Sequence, residues 1–393
     1  MYLPIISAEQ PLYNGSFDHM DSSHTSEGPY AFDGNLGYPW TASSAKPGLM
    51  GLVRIYNAQV EHATIVDDDF IAGYNTRENF GLYGYRRFDN AAEVLNALSG
   101  GGVTIKSNSV AGGSLWSWVW NGIEFVDHQD YGREMQADVL WIPDGHTVYN
   151  PTEAGAQYSF PTVTPAARQG APVLNNQNSG LMQITRAIPL QFDPTPFGGD
   201  NTHPVIYPQM QIGKDITLNY NNMGPVAHYV TQVSSDVAIP AASIEIPTGY
   251  MPSSTFSRFY EYDAQTQTLV EIHPQQNSCT GSDNSAEVVL AAANSGINSP
   301  GGIGNFSGHG GVIISNADQS AAMGIYGGLT TVGGSVSYFA LFNLTACGST
   351  VKWSAARMID LPAGGSSFNT WVASGTLSGV VANMHALYAG GAN

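Results

Sequence analysis

LWSWVWNGIEFVDH, residues 115–128, is the stretch whose reading decides the fold. Asn121-Gly122 supplies the two positive-φ residues that a type I′ turn requires, and this pair is the strongest short-range hairpin signal. The runs on either side are aromatic and β-branched, the residue types that favour strands. Side chains alternate along a strand, so Trp116, Trp118 and Trp120 are expected on one face, with Ser117 and Val119 on the other. Three indoles in a row form either a core face or a platform for stacking sugar rings. A mixed arrangement, with one or two in the core and one at a cleft rim, is the third reading.

Working outward, strand signals recur at short intervals from Gly102 onward, with Gly-rich turns between them. VTIKS (103–107) precedes the hairpin. MQITRAIPLQF (182–192) alternates, placing Met182, Ile184, Ile188, Leu190 and Phe192 on one face, and KDITLNYNN (214–222) groups Ile216, Leu218 and Tyr220. FYEYDAQTQTLVEI (259–272) and GVIISNADQSAAMGIY (311–326) read as hairpins. SVSYFALFNLTA (335–346) and TVKWSAARMIDL (350–361) complete the set. Helical signals are few: DNAAEVLNAL (89–98), with Asp89 or Asn90 as cap, and GTLSGVVANMHALYA (375–389). Upstream, residues 1–50 are polar and read as an extended arm, GLVRIYNAQVEHATIV (51–66) as strand-like, and NFGLYGYRRF (79–88) as an aromatic loop. The expected architecture is all-β: a large antiparallel β-sandwich over residues 101–393, preceded by an N-terminal arm and small mixed segment over 1–100.

Composition narrows the function. The 393 residues carry 13 Lys+Arg against 31 Asp+Glu, a formal net charge of −18, with only 11% charged residues. So few cations argue against a phosphate-binding surface, hence against nucleic acid, and equally against an anionic membrane. No run approaches a transmembrane span, so no membrane insertion is expected. The start, MYLPIISAEQ, lacks the pattern of a signal peptide. The low charge and the many Gly, Asn and Tyr residues nevertheless fit a secreted, extracellular protein, and Cys279 and Cys347 are expected to form its one disulfide.

Against that sparse background, DHQDYGREMQAD (127–138) is dense in charge, holding His128, Asp130, Arg133 and Glu134. A histidine beside carboxylates suits acid/base chemistry near neutral pH, and Arg133 can clamp a carboxylate with two hydrogen bonds. The loop YNPTEAG (149–155) adds Glu153. Two carboxyls flanking one sugar bond are what a glycosidase needs. The catalytic candidates are therefore His128, Asp130, Glu134 and Glu153. Arg133, Arg186, His203 and Tyr207 join Trp116, Trp118 and Trp120 as substrate-binding candidates. Arg186 interrupts an otherwise apolar face, which places it at a sheet edge or in a polar cleft, whereas His228 reads as a satisfied strand histidine. The competing reading of the 127–138 loop is a solvated loop with internal salt bridges. For Glu153 it is a turn cap. No metal spacing is present and no cofactor is expected, with calcium in SDNSAE (282–287) or SNADQS (315–320) the one exception to test. GGIGNFSGHGG (301–311) has glycines but no following helix, so it reads as a flexible loop or lid rather than a phosphate cradle.

GGSLWSWVWNGIEFVDHQDYGREMQAD (112–138) and YNPTEAG together resemble secreted bacterial proteins with a sandwich of the galactose-mutarotase type. GYMPSSTFSRFYEYDAQTQTLVEI (249–272) and SNADQSAAMGIYG (315–327) resemble the same group. The resemblance covers about residues 102–393 and implies a supersandwich fold and sugar chemistry, with His128 and His203 as counterparts of the family's histidine pair. The leading expectation is a carbohydrate-active enzyme, a glycoside hydrolase or polysaccharide lyase, acting on an extracellular oligo- or polysaccharide. The alternative is non-catalytic: a glycan-binding or surface-assembly protein, coat-like or filament-forming, whose wet polar interfaces would also suit a homo-oligomer.

Overall fold

The computed structural model describes the backbone of strands between Ile5 and Gly84. It then describes residues 95–128, 133–143, 145–155, 173–193, 195–197, 205, 207, 209–276, 287–291, 309–328, 331–332 and 335–392. The chain divides into two compact units, Met1–Arg87 and Phe88–Asn393. In the first, β1 (Ile5–Pro11), β2 (Phe17–Ser22) and β3 (Ala31–Gly37) form a sheet in the order β2-β1-β3. A second sheet there joins β4 (Trp40–Thr41), β5 (Met50–Tyr56), β6 (His62–Val66) and β7 (Thr76–Gly84) in the order β4-β7-β5-β6. β7 takes up Asn79–Gly84, expected as a loop: Tyr83, Leu82 and Asn79 pair with Gly51, Leu52 and Val53 of β5.

The second unit begins with β8 (Leu95–Gly100), β9 (Val103–Asn108), β10 (Leu115–Trp120) and β11 (Ile123–Glu124), paired antiparallel in that order. β8 replaces the expected helix over its last four positions, Leu95–Leu98, while residues 89–94 lie outside the described residues. The reason is the turn: Gly101 and Gly102 both have positive φ and join β8 to β9 as a tight hairpin, which competes with local helix propensity.

The strands that follow are β12 (Gln136–Leu140), β13 (Pro151–Thr152), β14 (Val173–Ser179), β15 (Met182–Ala187), β16 (Leu190–Gln191) and β17 (Met210–Thr217). Next come β18 (Val226–Ser235), β19 (Ile239–Pro252), β20 (Phe256–Asp263), β21 (Thr268–Ile272), β22 (Glu287–Ala291) and β23 (His309–Asn316). The last are β24 (Ala322–Gly328), β25 (Thr331–Val332), β26 (Ser335–Leu344), β27 (Thr350–Leu361) and β28 (Gly364–Gly375). They build two large antiparallel sheets. One has nine strands, β14-β15-β17-β18-β28-β24-β23-β20-β21; the other has eight, β16-β13-β12-β19-β27-β26-β22 with β25 on β26. The expected all-β antiparallel sandwich is what the chain forms. Both expected hairpins are present, as β20–β21 and β23–β24.

The core lies between the sheets. Ile216, Tyr229, Val312, Ile325 and Val372 of the nine-stranded sheet meet Met251, Phe339, Leu341 and Trp353 of the other, with Trp118 and Ile105 closing one end. The expected terminal helix is α2 (Leu377–Ala389), after the single-turn α1 (Thr345–Gly348). Thr376 caps α2, its hydroxyl accepting from the Gly379 N–H at 3.1 Å. Leu377, Val380, Met384 and Leu387 bury one face of α2 on the outside of the nine-stranded sheet, against Tyr260, Ile313 and Trp371. Gly324 permits that approach, because a Cβ there would sit 2.4 Å from a Val380 methyl.

MQITRAIPLQF does not lie on one face. It breaks at Ile188-Pro189, so β15 belongs to the nine-stranded sheet and β16 to the other. Within β15 the buried side is the odd one (Gln183, Thr185, Ala187), and Met182, Ile184 and Arg186 are half-exposed. β17 alternates the other way in number: Met210, Ile212, Lys214 and Ile216 point inward.

Candidate functional site

The hairpin forms as its turn demands, with Asn121 at φ 49°, Gly122 at φ 77° and Trp120 opposite Ile123. The three tryptophans, however, do not share a face. Leu115 pairs with Ser107 and Ser117 with Lys106, so Trp116 is an extra residue bulged out of the ladder. Beyond the bulge the alternation resets. Trp118 is fully buried, its Nε1–H donating to Ser374 Oγ at 2.6 Å, and Trp120 packs partly buried against the same core. Trp116 turns to Ala111 and Ala154 and stacks on the exposed His128, centroids 5.3 Å apart. Glu124 fills the bulge, accepting from the backbone N–H groups of Trp118 (2.8 Å), Phe125 (3.0 Å) and Val126 (3.0 Å) and from the Ser117 hydroxyl. No sequence signal marked Glu124 for this task.

The described parts of the charged segment turn inward at Asp127 and Glu134, whereas His128 is exposed. Glu134 is fully buried and Arg133 half-buried; Asp130 lies outside the described residues. Glu153 is also fully buried, its Oε1 accepting from Lys214 Nζ at 2.6 Å and its Oε2 from the Ala137 N–H at 2.9 Å. Both Glu153 and Lys214 have 0% side-chain exposure. Burial pushes the Lys214 ammonium below the ordinary lysine range, against the pull of Glu153 and, more weakly, of Glu134. Lys214 sits opposite Thr185 on one neighbour and Thr231 on the other. The Thr185, Thr231 and Tyr229 hydroxyls have no hydrogen-bond partner among the described residues. Burial and the nearby Glu153 charge hold the Tyr229 phenol well above its usual range. The sandwich thus carries a polar layer between two apolar ones. KDITL held its signal: a lysine in phase with Ile212, Ile216 and Leu218 has to be buried.

The other face of the same strands is wet. Arg186 crosses over Gly213, where a Cβ would be 2.3 Å from its Cδ. Its guanidinium donates to the Thr185 (2.7 Å) and Lys214 (3.0 Å) carbonyls and lies 2.8 Å from an Asp215 oxygen. Gln232 Nε2 donates to the second Asp215 oxygen at 2.8 Å. Around them opens a pocket of about 260 Å³, floored by Gly213 and Gly365 and walled by Arg186, Gln211, Gln232, Ser234 and Ser367. Farther along β18 and β28, His228 stacks on Trp371 at 5.0 Å with its Nε2 3.0 Å from Asn369 Oδ1, and Tyr220 packs beside it. Burial depresses the His228 pKa, partly offset by Asn369. Of the expected binding residues that the structure describes, only Arg186 lines this pocket. Tyr207 instead packs edge-on to Trp141 at 5.3 Å, and His203 lies outside the described residues. Cys279 and residues 282–286 and 301–308 also lie outside them, so the disulfide and the first calcium loop fall there; of the expected lid 301–311, His309, Gly310 and Gly311 instead open strand β23. In the second calcium loop Asp318 accepts from Ser320, as an ordinary turn. Among the described residues no group of three or more His, Cys, Asp and Glu side chains is arranged to hold a metal ion.

No protein-family model matches the chain, and no curated protein matches it. Solved structures do. A galactose mutarotase-like protein from Lactobacillus casei is 9% identical with a TM-score of 0.38, covering 72% of this chain and 99% of that one. A putative aldose 1-epimerase from Klebsiella pneumoniae is 12% identical with a TM-score of 0.39, covering 74% and 82%. Galactose 1-epimerase from Lactobacillus acidophilus is 10% identical with a TM-score of 0.37, covering 74% and 96%. These neighbours are of the galactose-mutarotase-like kind that the sequence resembles.

Proposed function

We propose that the outer face of the nine-stranded sheet binds an uncharged, hydroxyl-rich chain: an oligo- or polysaccharide of the cell exterior. One observation carries this reading. The pocket over Gly213 and Gly365 is lined by amide and hydroxyl side chains, and its one cation, Arg186, is already matched by Asp215. Such a lining offers many donors and acceptors but no net charge, which suits sugar hydroxyls better than a phosphate or carboxylate. The half-exposed His228 ring, backed by the buried Trp371, extends the same face.

Binding, rather than cleavage, is the activity proposed. A glycosidase or lyase acting through Glu134 and Glu153 would need both carboxyls in contact with substrate, and both are fully buried. The test is titration of the purified protein against a panel of neutral and acidic oligosaccharides, with Gln232→Ala and Ser367→Trp as variants. Neutral glycans should bind, and both variants should weaken them by about tenfold or more, as expected for a lost polar contact or a filled pocket. Unchanged binding in both variants moves the site elsewhere. Sugar release by wild type that disappears in Glu134→Gln or Glu153→Gln would restore the enzymatic reading.

A further inference from the structure

The buried carboxyl–lysine contact between the two sheets has the parts of a covalent bond-forming site. Lys214 Nζ lies 2.6 Å from Glu153 Oε1, and both side chains are wholly shut off from solvent. The second Glu153 oxygen is held by the Ala137 N–H at 2.9 Å, the position a donor must occupy to steady an oxyanion on that carboxyl. A second fully buried carboxyl, Glu134, stands near enough for its charge to act on Lys214. We infer that Lys214 and Glu153 join as an intramolecular amide.

The step balances without any outside reagent. Lys214 passes one proton to Glu153 Oε1, and its amine lone pair attacks Glu153 Cδ. The new oxyanion rests on the Ala137 N–H, a second proton passes from nitrogen directly to the departing Oε1, its 2.6 Å neighbour in the ion pair, the Cδ–O bond breaks, and one water leaves. An ammonium and a carboxylate become one amide and one water. In bulk water that exchange runs the other way, because both ions are well solvated. Here the two charges sit in a dry layer between apolar residues, where holding an ion pair is costly and a neutral amide is not. Burial already lowers the proton affinity of Lys214, which raises the share of nucleophilic amine. The bond would tie the loop after β13, in one sheet, to β17 in the other. It lies apart from the proposed glycan face and does not depend on it.

Intact mass of the full chain under denaturing conditions tests this directly. The expected mass is lower than the sequence mass by one water, and digestion should yield a branched peptide joining the segment with Glu153 to the segment with Lys214. Lys214→Arg should return to its full sequence mass. A wild-type mass equal to the sequence mass overturns the inference, as does a missing water that persists in Lys214→Arg. Because that variant also tests folding, the branched wild-type peptide decides alone: its absence, with linear Glu153 and Lys214 peptides recovered, shows an ion pair only.

Discussion

Lys214 and Asp215 are neighbours on one strand, and each faces a partner of opposite charge, yet they live in different solvents. Strand alternation sends Lys214 inward to Glu153, both at 0% exposure, and Asp215 outward to Arg186, at 24% and 21%. The inner contact is dry and spans two sheets. The outer one is half-solvated and stays within a sheet, beside a pocket. The same pairing of charges therefore serves two ends: inside, a link whose loss strands a charge in the core; outside, a neutral polar lining open to a ligand.

Removing one inner partner should produce the largest effect. Lys214→Met leaves Glu153 without its cation in the core, so unfolding free energy should drop by about 3–5 kcal/mol, read from urea midpoints. If the amide forms, losing a cross-link around a loop of this size costs about 4 kcal/mol, the same order. The double change Lys214→Met with Glu153→Leu separates the two. An ion pair replaced by packed apolar groups recovers most of the loss. A lost cross-link does not.

A third pair sharpens the comparison by standing between the extremes. Lys352 Nζ is 2.9 Å from Glu245 Oε1, at 14% and 16% exposure. Burial opposes the Lys352 charge, but Glu245, Tyr250 and Asp138 outweigh it and hold the ammonium above its ordinary range. Lys352→Met should therefore cost less than Lys214→Met and more than Arg186→Ala. Asp138 completes this group, its carboxyl held well above the usual range by burial and then by Glu245. A carboxyl raised on folding stabilises fully below its unfolded pKa of about 3.9, and that contribution is lost as pH rises through the raised value. Wild type should accordingly lose stability relative to Asp138→Asn as pH climbs from about 4 toward neutrality. A constant difference between the two across that range would show Asp138 to be ionised in both states.

How much of this was legible beforehand follows from the range of each signal. Asn121-Gly122 fixes its turn locally, and the hairpin formed as read. The bulge at Trp116 depends on Glu124 reaching back to the Trp118 N–H, a contact made only once the hairpin has closed, so the indole row broke. DNAAEVLNAL has helix-forming residues, but Gly101-Gly102 and the partner strand β9 took its last residues into a sheet. Arg186 is legible because a lone charge on an apolar stretch is conspicuous. Its partners Asp215 and Gln232 come from two other strands, and only register brings them together. Glu134 and Glu153 stand out in the sequence for their chemistry. Their burial, and the pairing of Glu153 with Lys214, reflect sheet packing that no local pattern encodes.

The outer pair should be nearly silent for stability and audible in binding. Arg186→Ala should change the unfolding free energy by less than about 1 kcal/mol, the usual range for a half-exposed pair, and that small effect should vanish in about 1 M salt. Lys214→Met should keep its cost at the same salt concentration. In the glycan titration Arg186→Ala should lose affinity, since it removes a wall of the pocket and leaves Asp215 uncompensated. Equal stability losses for Arg186→Ala and Lys214→Met would erase the distinction between the two faces.

The smallest expected effect lies at the far end of the wet face. His228 is partly covered by Trp371 and bonded to Asn369, and burial depresses its pKa. A base whose pKa falls on folding contributes stability above its unfolded value, near 6.5, and loses it as pH drops through the folded value. Half-exposed, His228 should contribute only a slight decline below that point, absent in His228→Gln. Its ring protons, followed by NMR, should titrate below the unfolded value, and a bound glycan covering the stack should lower that pKa further. A titration that glycan leaves unmoved would confine binding to the pocket over Gly213 and remove the aromatic end from the ligand face.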